Sequence, residues 1–532
     1  MTRTDPCRFL KGGWTVALLL LAAGPAAAQH DAHRNAVRKI AAGDLAAAEA
    51  LLEPVADDPE TRYLQAWLAA LRDQPDEALA QARRAVQAGV PLERFVAGPR
   101  DALAPLTAHA EFRAWAAEQA SALLHGPLLG CVTDASAAVW VRTARAAAVC
   151  VVVRPAGREE GEAVELRGQA RTAGQTDRTA VVQVTGLQPQ TEYAYQVLVD
   201  GQPMLDPPPR FRTAPPPGHA ARFTVAFGGG AGYVPEHESM WDTIRNREPH
   251  ALLMLGDNVY SDDPTQPWTQ LYCYYRRQSR PEWRALTART AVSAIYDDHD
   301  FGTDDCIPGA EVDRPAWKRD VWRRFQQNWN NPAYGGGEAQ PGCWFDFSIG
   351  DVHFIMLDGR YYRSRSGPPS MLGPVQKAWL LETLKNSRGT FKVLASPVPW
   401  SEGVKPGSKD PWDGFPEERE EIFQFIEQQR IEGVLLIAAD RHRSDLRITR
   451  RPNGYDLYEF ESSRLTNRHT HSVVKTPGLV FGYSQTCSVG MMSFDTTQAD
   501  PRVRCEIVDI GGQTVHATTI LRSQLTFSAA AQ

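Results

Sequence analysis

The chain has 532 residues, 43% of them hydrophobic and 23% charged, with a formal net charge of -6 at pH 7. At roughly 100 to 200 residues per domain this length predicts about three domains, each able to hold its own core. The acidic balance excludes a polyanion-binding footprint, so nucleic acid is set aside as a partner.

Arg3, Arg8 and Lys11 precede the apolar run Trp14 to Ala23, and Ala26-Ala-Ala28 supplies small residues before Gln29. This order predicts a signal peptide over residues 1–28 and a mature protein that is periplasmic or secreted. No later stretch reaches the roughly 18 uninterrupted apolar residues of a membrane span. No Cys follows the Ala cluster, and Arg3-Thr4 is not a twin-arginine pair, which argues against a lipid anchor and against that export signal. Cys7 leaves with the signal, so seven cysteines remain, at 131, 150, 273, 306, 343, 487 and 505. An oxidising compartment and an odd count predict a few structural disulfides plus a buried thiol, and no C-x-x-C spacing points to zinc or redox work.

Residues 30–122 are rich in Ala, Leu, Arg and Glu. Gly43-Asp-Leu-Ala-Ala-Ala-Glu-Ala-Leu-Leu52 and Pro75-Asp-Glu-Ala-Leu-Ala-Gln-Ala-Arg-Arg-Ala-Val86 begin alike, 32 residues apart, with apolar residues at helical spacing. With Tyr63 to Leu71 they resemble one and a half helical repeats of tetratricopeptide type. So short an array is not stable alone, so the module is expected to dock on its neighbour, with a protein partner as a further use. It carries no chemical motif, and its removal is expected to leave turnover intact.

From 126 to 215 the texture changes to alternation and turns. The stretches 138–142, 148–153, 179–184 and 192–199 read as short strands of a β-sandwich. Thr185-Gly-Leu-Gln-Pro-Gln-Thr-Glu-Tyr-Ala-Tyr195 resembles the turn-and-strand signature of fibronectin type III domains. Pro207-Pro-Pro209 and Pro215-Pro-Pro-Gly218 bracket a stiff linker.

Residues 221–525 alternate apolar strands with amphipathic helices, the pattern of a layered α/β domain. Three strands there end in polar chemistry. Ala251 to Leu255 runs through Gly256 into Asp257; Thr290 to Tyr296 runs into Asp297-Asp-His-Asp300; Gly433 to Ala439 runs into Asp440-Arg-His442. The carboxyl ends of strands are where open α/β sheets place ligands. Oxygen and nitrogen donors without thiolates suit calcium, iron or manganese, and point to metal-assisted hydrolysis. Each motif alone could be a capped turn; three in one domain favour a metal site.

Five pieces in order then resemble the PhoD-like alkaline phosphatases and phosphodiesterases of the calcineurin-like metallophosphoesterase superfamily. They are Gly256-Asp-Asn-Val-Tyr260, Tyr296-Asp-Asp-His-Asp300, Leu357-Asp-Gly-Arg-Tyr-Tyr-Arg363, Leu372-Gly-Pro-Val-Gln376 with Trp379-Leu380, and Ala439-Asp-Arg-His-Arg-Ser444. The resemblance covers about 126–510 and implies an α/β/β/α four-layer catalytic domain behind the sandwich. It implies hydrolysis of phosphate mono- or diesters through metal-bound hydroxide, with Asp257, Tyr260, Asp298, Asp440 and His442 as metal ligands. His299 would sit over the leaving oxygen and Arg363 would contact the phosphate; for Arg363 a surface place in an Arg-rich loop is the competing reading. Where the family has a Cys ligand after its first strand, this chain reads Phe227-Gly-Gly-Gly230. Tyr233, Glu236 or His237 could compensate. The change moves the expected ions from iron toward calcium, manganese or magnesium, two or more per chain. The rival reading is a catalytically degenerate member of the fold that binds a phosphorylated ligand or a partner protein.

Overall fold

The computed structural model describes residues 31–157 and 165–527. The signal-peptide reading lies outside the described residues.

Two mixed sheets form the large domain. One has six strands in the order Ala291–Ile295, Ala251–Leu255, Arg222–Gly228, Ser488–Asp495, Arg502–Asp509 and Thr514–Leu521. The other has seven, in the order Phe345–Ile349, Val352–Met356, Phe391–Ala395, Val434–Ala438, Leu457–Glu461, Ser444–Thr449 and Leu479–Tyr483. Their inner strands are parallel: 251–255 pairs with 222–228 and 291–295, and 391–395 pairs with 352–356 and 434–438. Parallel pairs need crossovers, which the helices Ser239–Asn246, Pro267–Gln278, Pro281–Thr287, Gly373–Asn386 and Pro416–Gln428 provide.

The sheets face each other across an aromatic core. Phe223 stacks on Phe494 at 5.1 Å between ring centres, and Phe494 meets Phe354 and Phe391 of the other sheet at 6.0 and 5.7 Å. Each fully buried aromatic adds roughly 1.5 to 3 kcal/mol of transfer free energy. The sheets are also stitched at the site end by a parallel bridge between Gly229 and Ser463.

The sandwich in front has a three-stranded sheet (Leu123–Gly130, Ser136–Thr143, Thr179–Thr185) against a second sheet built on Leu166–Arg171, Ala148–Pro155 and Glu192–Val199. It is fastened to the large domain by Trp140 donating to the Gln327 carbonyl at 3.0 Å and by Asn330 donating to Leu128 and Ala138 carbonyls.

Residues 32–119 form seven helices. Trp67 packs edge-on against Trp268 at 5.8 Å, and Arg94, itself paired with Glu60 at 2.7 Å, lies over Tyr63 and Tyr272. The module docks on the helix Pro267–Gln278. Arg276 of that helix pairs with Asp31.

The disulfide expectation is overturned. All seven described cysteines are free, spread over separate strands, helices and loops. Burial pushes the thiols of Cys131, Cys273 and Cys306 up to about 12, so they stay protonated. No described helix is long and apolar enough to cross a membrane.

Candidate metal centre

The site begins with a close approach of two strand ends. Gly256 closes the strand Ala251–Leu255 at φ +102°, and a Cβ there would stand 2.5 Å from the Asp297 Cβ. Only glycine lets the loop after 255 pass so near the loop after 295. Asp257, Asp440 and His442 then take left-handed backbone at φ 52°, 73° and 48°. Such strain at three of the selected residues is of the kind that functional sites retain.

The four residues Asp297 to Asp300 divide their work. Asp300 is a cap: its carboxylate accepts from the backbone N–H groups of Asn258, Val259 and Asp297 at 3.0 to 3.1 Å, tying the two loops together. Burial still pushes it up to about 7 against those hydrogen bonds. Asp297 pairs with Arg360. Asp298 and His299 turn toward Asp257, and these three offer ligand atoms within 4.8 Å of one another, all buried. Tyr260 donates to Asp257 Oδ2 at 3.0 Å and shares a 2.8 Å hydrogen bond with His442 Nε2.

This set fits a metal ion. Asp257 Oδ1, Asp298 Oδ1, Asp440 Oδ2 and His442 Nδ1 are buried without a hydrogen-bond partner. Burial, then its neighbours Asp298, Asp297 and Asp300, push Asp257 well above the usual carboxylate range despite His299. Buried carboxylates crowded in this way are stabilised by a cation. Asp440 is not in the Asp257 group; it stands at the end of 434–438, 3.6 Å from Arg441.

His299 is held toward its protonated form. Burial works against the imidazolium, yet Asp257, Asp262 and Asp298 together hold its pKa well above the ordinary value. Nδ1 faces Asp262, whose carboxylate is drawn down to about 2, against its own burial, chiefly by His299 and with help from Arg34 and Arg38. An ionised carboxylate only accepts, so Nδ1 is the donor and Nε2 carries the second proton.

Sequence reasoning missed several residues here. Asp262 lies two positions after Tyr260, and its loop gave no sign that it would hold His299. Arg34 pairs with Asp262 and also reaches the Tyr260 carbonyl at 3.3 Å, and Arg38 donates to the Asp262 carbonyl. The helical module therefore touches the site, a contact that bears on whether its removal leaves turnover intact. Arg360 and Asp410 were also passed over. Arg360 spans Asp297 and Asp410 and lies 3.5 Å from Asp298. Arg363 is not the surface residue of the competing reading: it is 0% exposed, donating to the Gly359 carbonyl at 2.7 Å and to Asp410. Its Nη2 is buried without a hydrogen-bond partner.

The suggested stand-ins for the Cys have other partners. Tyr233 lies under Arg276, Glu236 pairs with Arg468 at 3.5 Å, and His237 hydrogen-bonds the Thr466 carbonyl at 3.1 Å. Gly230 does border the site, with φ +68° and room for a Cβ only 2.8 Å from Ser463 Oγ and 3.3 Å from His442 Cδ2.

Two facing mixed sheets with carboxylate and imidazole groups at their strand ends define a metallophosphoesterase-like α/β fold. It is shared with the solved structure of PhoD (TM-score 0.60, 17% identity, 76% of this chain and 92% of that one) and with purple acid phosphatase PPD1 from yellow lupin (TM-score 0.57, 12% identity, 75% of each). Residues 225–485 match the family model of the PhoD-like phosphatases, so this domain is PhoD-like. Residues 120–218 match a domain of unknown function (DUF7800). Among curated proteins the chain is similar to alkaline phosphatase D of Bacillus subtilis (strain 168), at 24% identity over 314 residues, 49% of this chain and 53% of the relative. It is also similar to purple acid phosphatase 23 of Arabidopsis thaliana, at 23% over 236 residues, 41% and 46%. The chain thus spans about half the length of the curated relatives it matches.

Proposed function

We propose that this protein hydrolyses phosphate esters at the group Asp257, Asp298 and His299, with metal ions as cofactors. The observation that carries this reading is the set of buried oxygens without a hydrogen bond on Asp257, Asp298 and Asp440 within a PhoD-like domain. Asp257 and Asp298, with Tyr260, Asp440 and His442 around them, would hold the ions. Bound there, hard cations would neutralise charge on the phosphoryl oxygens and acidify an attacking water.

The chain's own residues supply the rest. His299 Nε2 would protonate the leaving oxygen, a role supported by the contact of Nδ1 with Asp262. Arg34 keeps Asp262 charged and in place. Arg360 locks Asp297 and so aims the adjacent Asp298, while Asp410 couples Arg360 to Arg363. Arg363 acts as a positioning residue through that chain. Calcium, manganese or magnesium suits the oxygen-rich set better than iron. Export to the periplasm or medium rests on the basic, apolar and small-residue order of residues 1–28.

The test is a panel of phosphate mono- and diesters, assayed before chelation, after it and after each metal is restored. Hydrolysis that is lost and then recovered supports the reading. A protein that binds esters but turns over none with any metal would favour the degenerate, ligand-holding alternative.

A further inference from the structure

Three imidazoles stand beside the Asp257 group, and two of them, His469 and His471, have no part in the chemistry above. Tyr260 gives its proton to Asp257, so its oxygen takes the hydrogen bond from His442 Nε2–H at 2.8 Å. A neutral His442 then carries its lone pair on Nδ1. That nitrogen has no hydrogen-bond partner, although His442 is only 3% exposed.

The loop His469-Thr470-His471 brings two more rings to it. Their centres lie 5.2 and 5.8 Å from that of His442, and each of the three residues offers a nitrogen within 4.8 Å of the other two. His469 Nε2 and His471 Nε2 are 3.1 Å apart. Two nitrogens bound at about 2.0 to 2.1 Å to one tetrahedral ion are separated by about 3.3 Å, so the pair already stands near the required span. The loop is also pinned: Thr470 Oγ1 donates to the His442 carbonyl at 2.9 Å, and the His469 N–H donates to Asn467 Oδ1 at 3.1 Å.

We propose that His442, His469 and His471 form a second, nitrogen-only metal site that takes a borderline divalent transition ion such as zinc or cobalt(II). Three imidazoles suit zinc, cobalt, nickel or copper, whereas calcium and magnesium demand oxygen. His442 then stands between two unlike centres, with Nε2 on the side of the carboxylate-rich one and Nδ1 toward the nitrogen-rich one. The site is independent of which ester, if any, the neighbouring group hydrolyses, so it can fail while the phosphoesterase reading stands, and the reverse.

The test uses the full chain, stripped with a chelator and titrated with cobalt(II) by calorimetry and visible absorption, as wild type, His469→Ala/His471→Ala and Asp257→Asn. The double variant is expected to keep the wild-type Tm and to lose one class of cobalt site together with its tetrahedral absorption, while Asp257→Asn retains that class. Unchanged cobalt stoichiometry and spectrum in the double variant overturn the proposal, as does loss of all cobalt from Asp257→Asn. Should the double variant misfold, X-ray absorption of wild type loaded with zinc decides: scattering from three imidazoles on one zinc supports the site, and a shell of oxygens with at most one imidazole refutes it.

Discussion

Arg34→Ala tests whether the helical module is part of the site. Arg34 is 4% exposed and pairs with an Asp262 side chain that is 14% exposed. A hydrogen bond between charged groups is worth about 1.5 to 3 kcal/mol, and removing one partner of a buried pair costs up to roughly 3 to 5. Because His299 still faces Asp262, the lower range applies, about 1.5 to 3 kcal/mol of stability. The catalytic effect works through the imidazole: an outer partner that orients a functional His is typically worth 10- to 100-fold, or about 1.4 to 2.7 kcal/mol. We therefore expect kcat on a chromogenic phosphate monoester to fall by about that factor at saturating metal, with KM nearly unchanged. The control is Arg84→Ala on the same module, where an exposed arginine lies 3.9 Å from Glu77 and should change neither Tm nor kcat. Folded Arg34→Ala with wild-type kcat would mean that the contact is mere docking.

Gly230→Ala, and Gly230→Cys with it, should lose roughly 1 to 3 kcal/mol in a denaturant titration, because φ +68° and a 2.8 Å approach to Ser463 Oγ leave no place for a Cβ; wild-type stability would refute the steric reading. His299→Gln should slow esters with poor leaving groups about a hundredfold or more while sparing activated nitrophenyl esters, and an equal loss on both would remove the proton-donor role. Lys392 is 6% exposed, and burial, with Arg522 adding, pulls its pKa from 10.5 down to about 8. Between those two values the unfolded chain binds more protons, so stability rises with pH across that window by roughly 3 kcal/mol at most. Lys392→Met should flatten that rise, measured by Tm from pH 7 to 11, and an unflattened curve would contradict the shift.

The strands that position the site were legible because parallel strands buried on both faces read as continuous apolar runs, as at 251–255 and 434–438. Asp257, Asp298 and His299 could be picked out because each follows such a run. Other elements were hidden by their local sequence. The strand Leu123–Gly130 contains Gly126 and Pro127, which break the pattern, and it is recognisable only through its pairing with Ser136–Thr143. The link from Arg34 to Asp262 spans 228 residues of chain, and no spacing rule reaches that far. Asp262, Asp410 and the pair His469 and His471 lie in loops, where periodicity carries no signal; only the His-x-His spacing could have drawn attention. Asp297 and Asp300 flank Asp298 and His299 in the same motif, but a guanidinium and three backbone N–H groups claim them.

Asp257→Asn and Asp440→Asn each remove one anionic donor from the proposed centre, so metal content and phosphoester turnover should fall together, Asp257→Asn the further since it sits among Asp298 and His299. The direct measurement is elemental analysis of each purified variant beside its kcat on the ester that the wild type turns over fastest. Metal loss matched by loss of turnover is the expected result. Wild-type metal content with undiminished hydrolysis in Asp257→Asn would show that this carboxylate only closes a turn, and that the chemistry lies elsewhere.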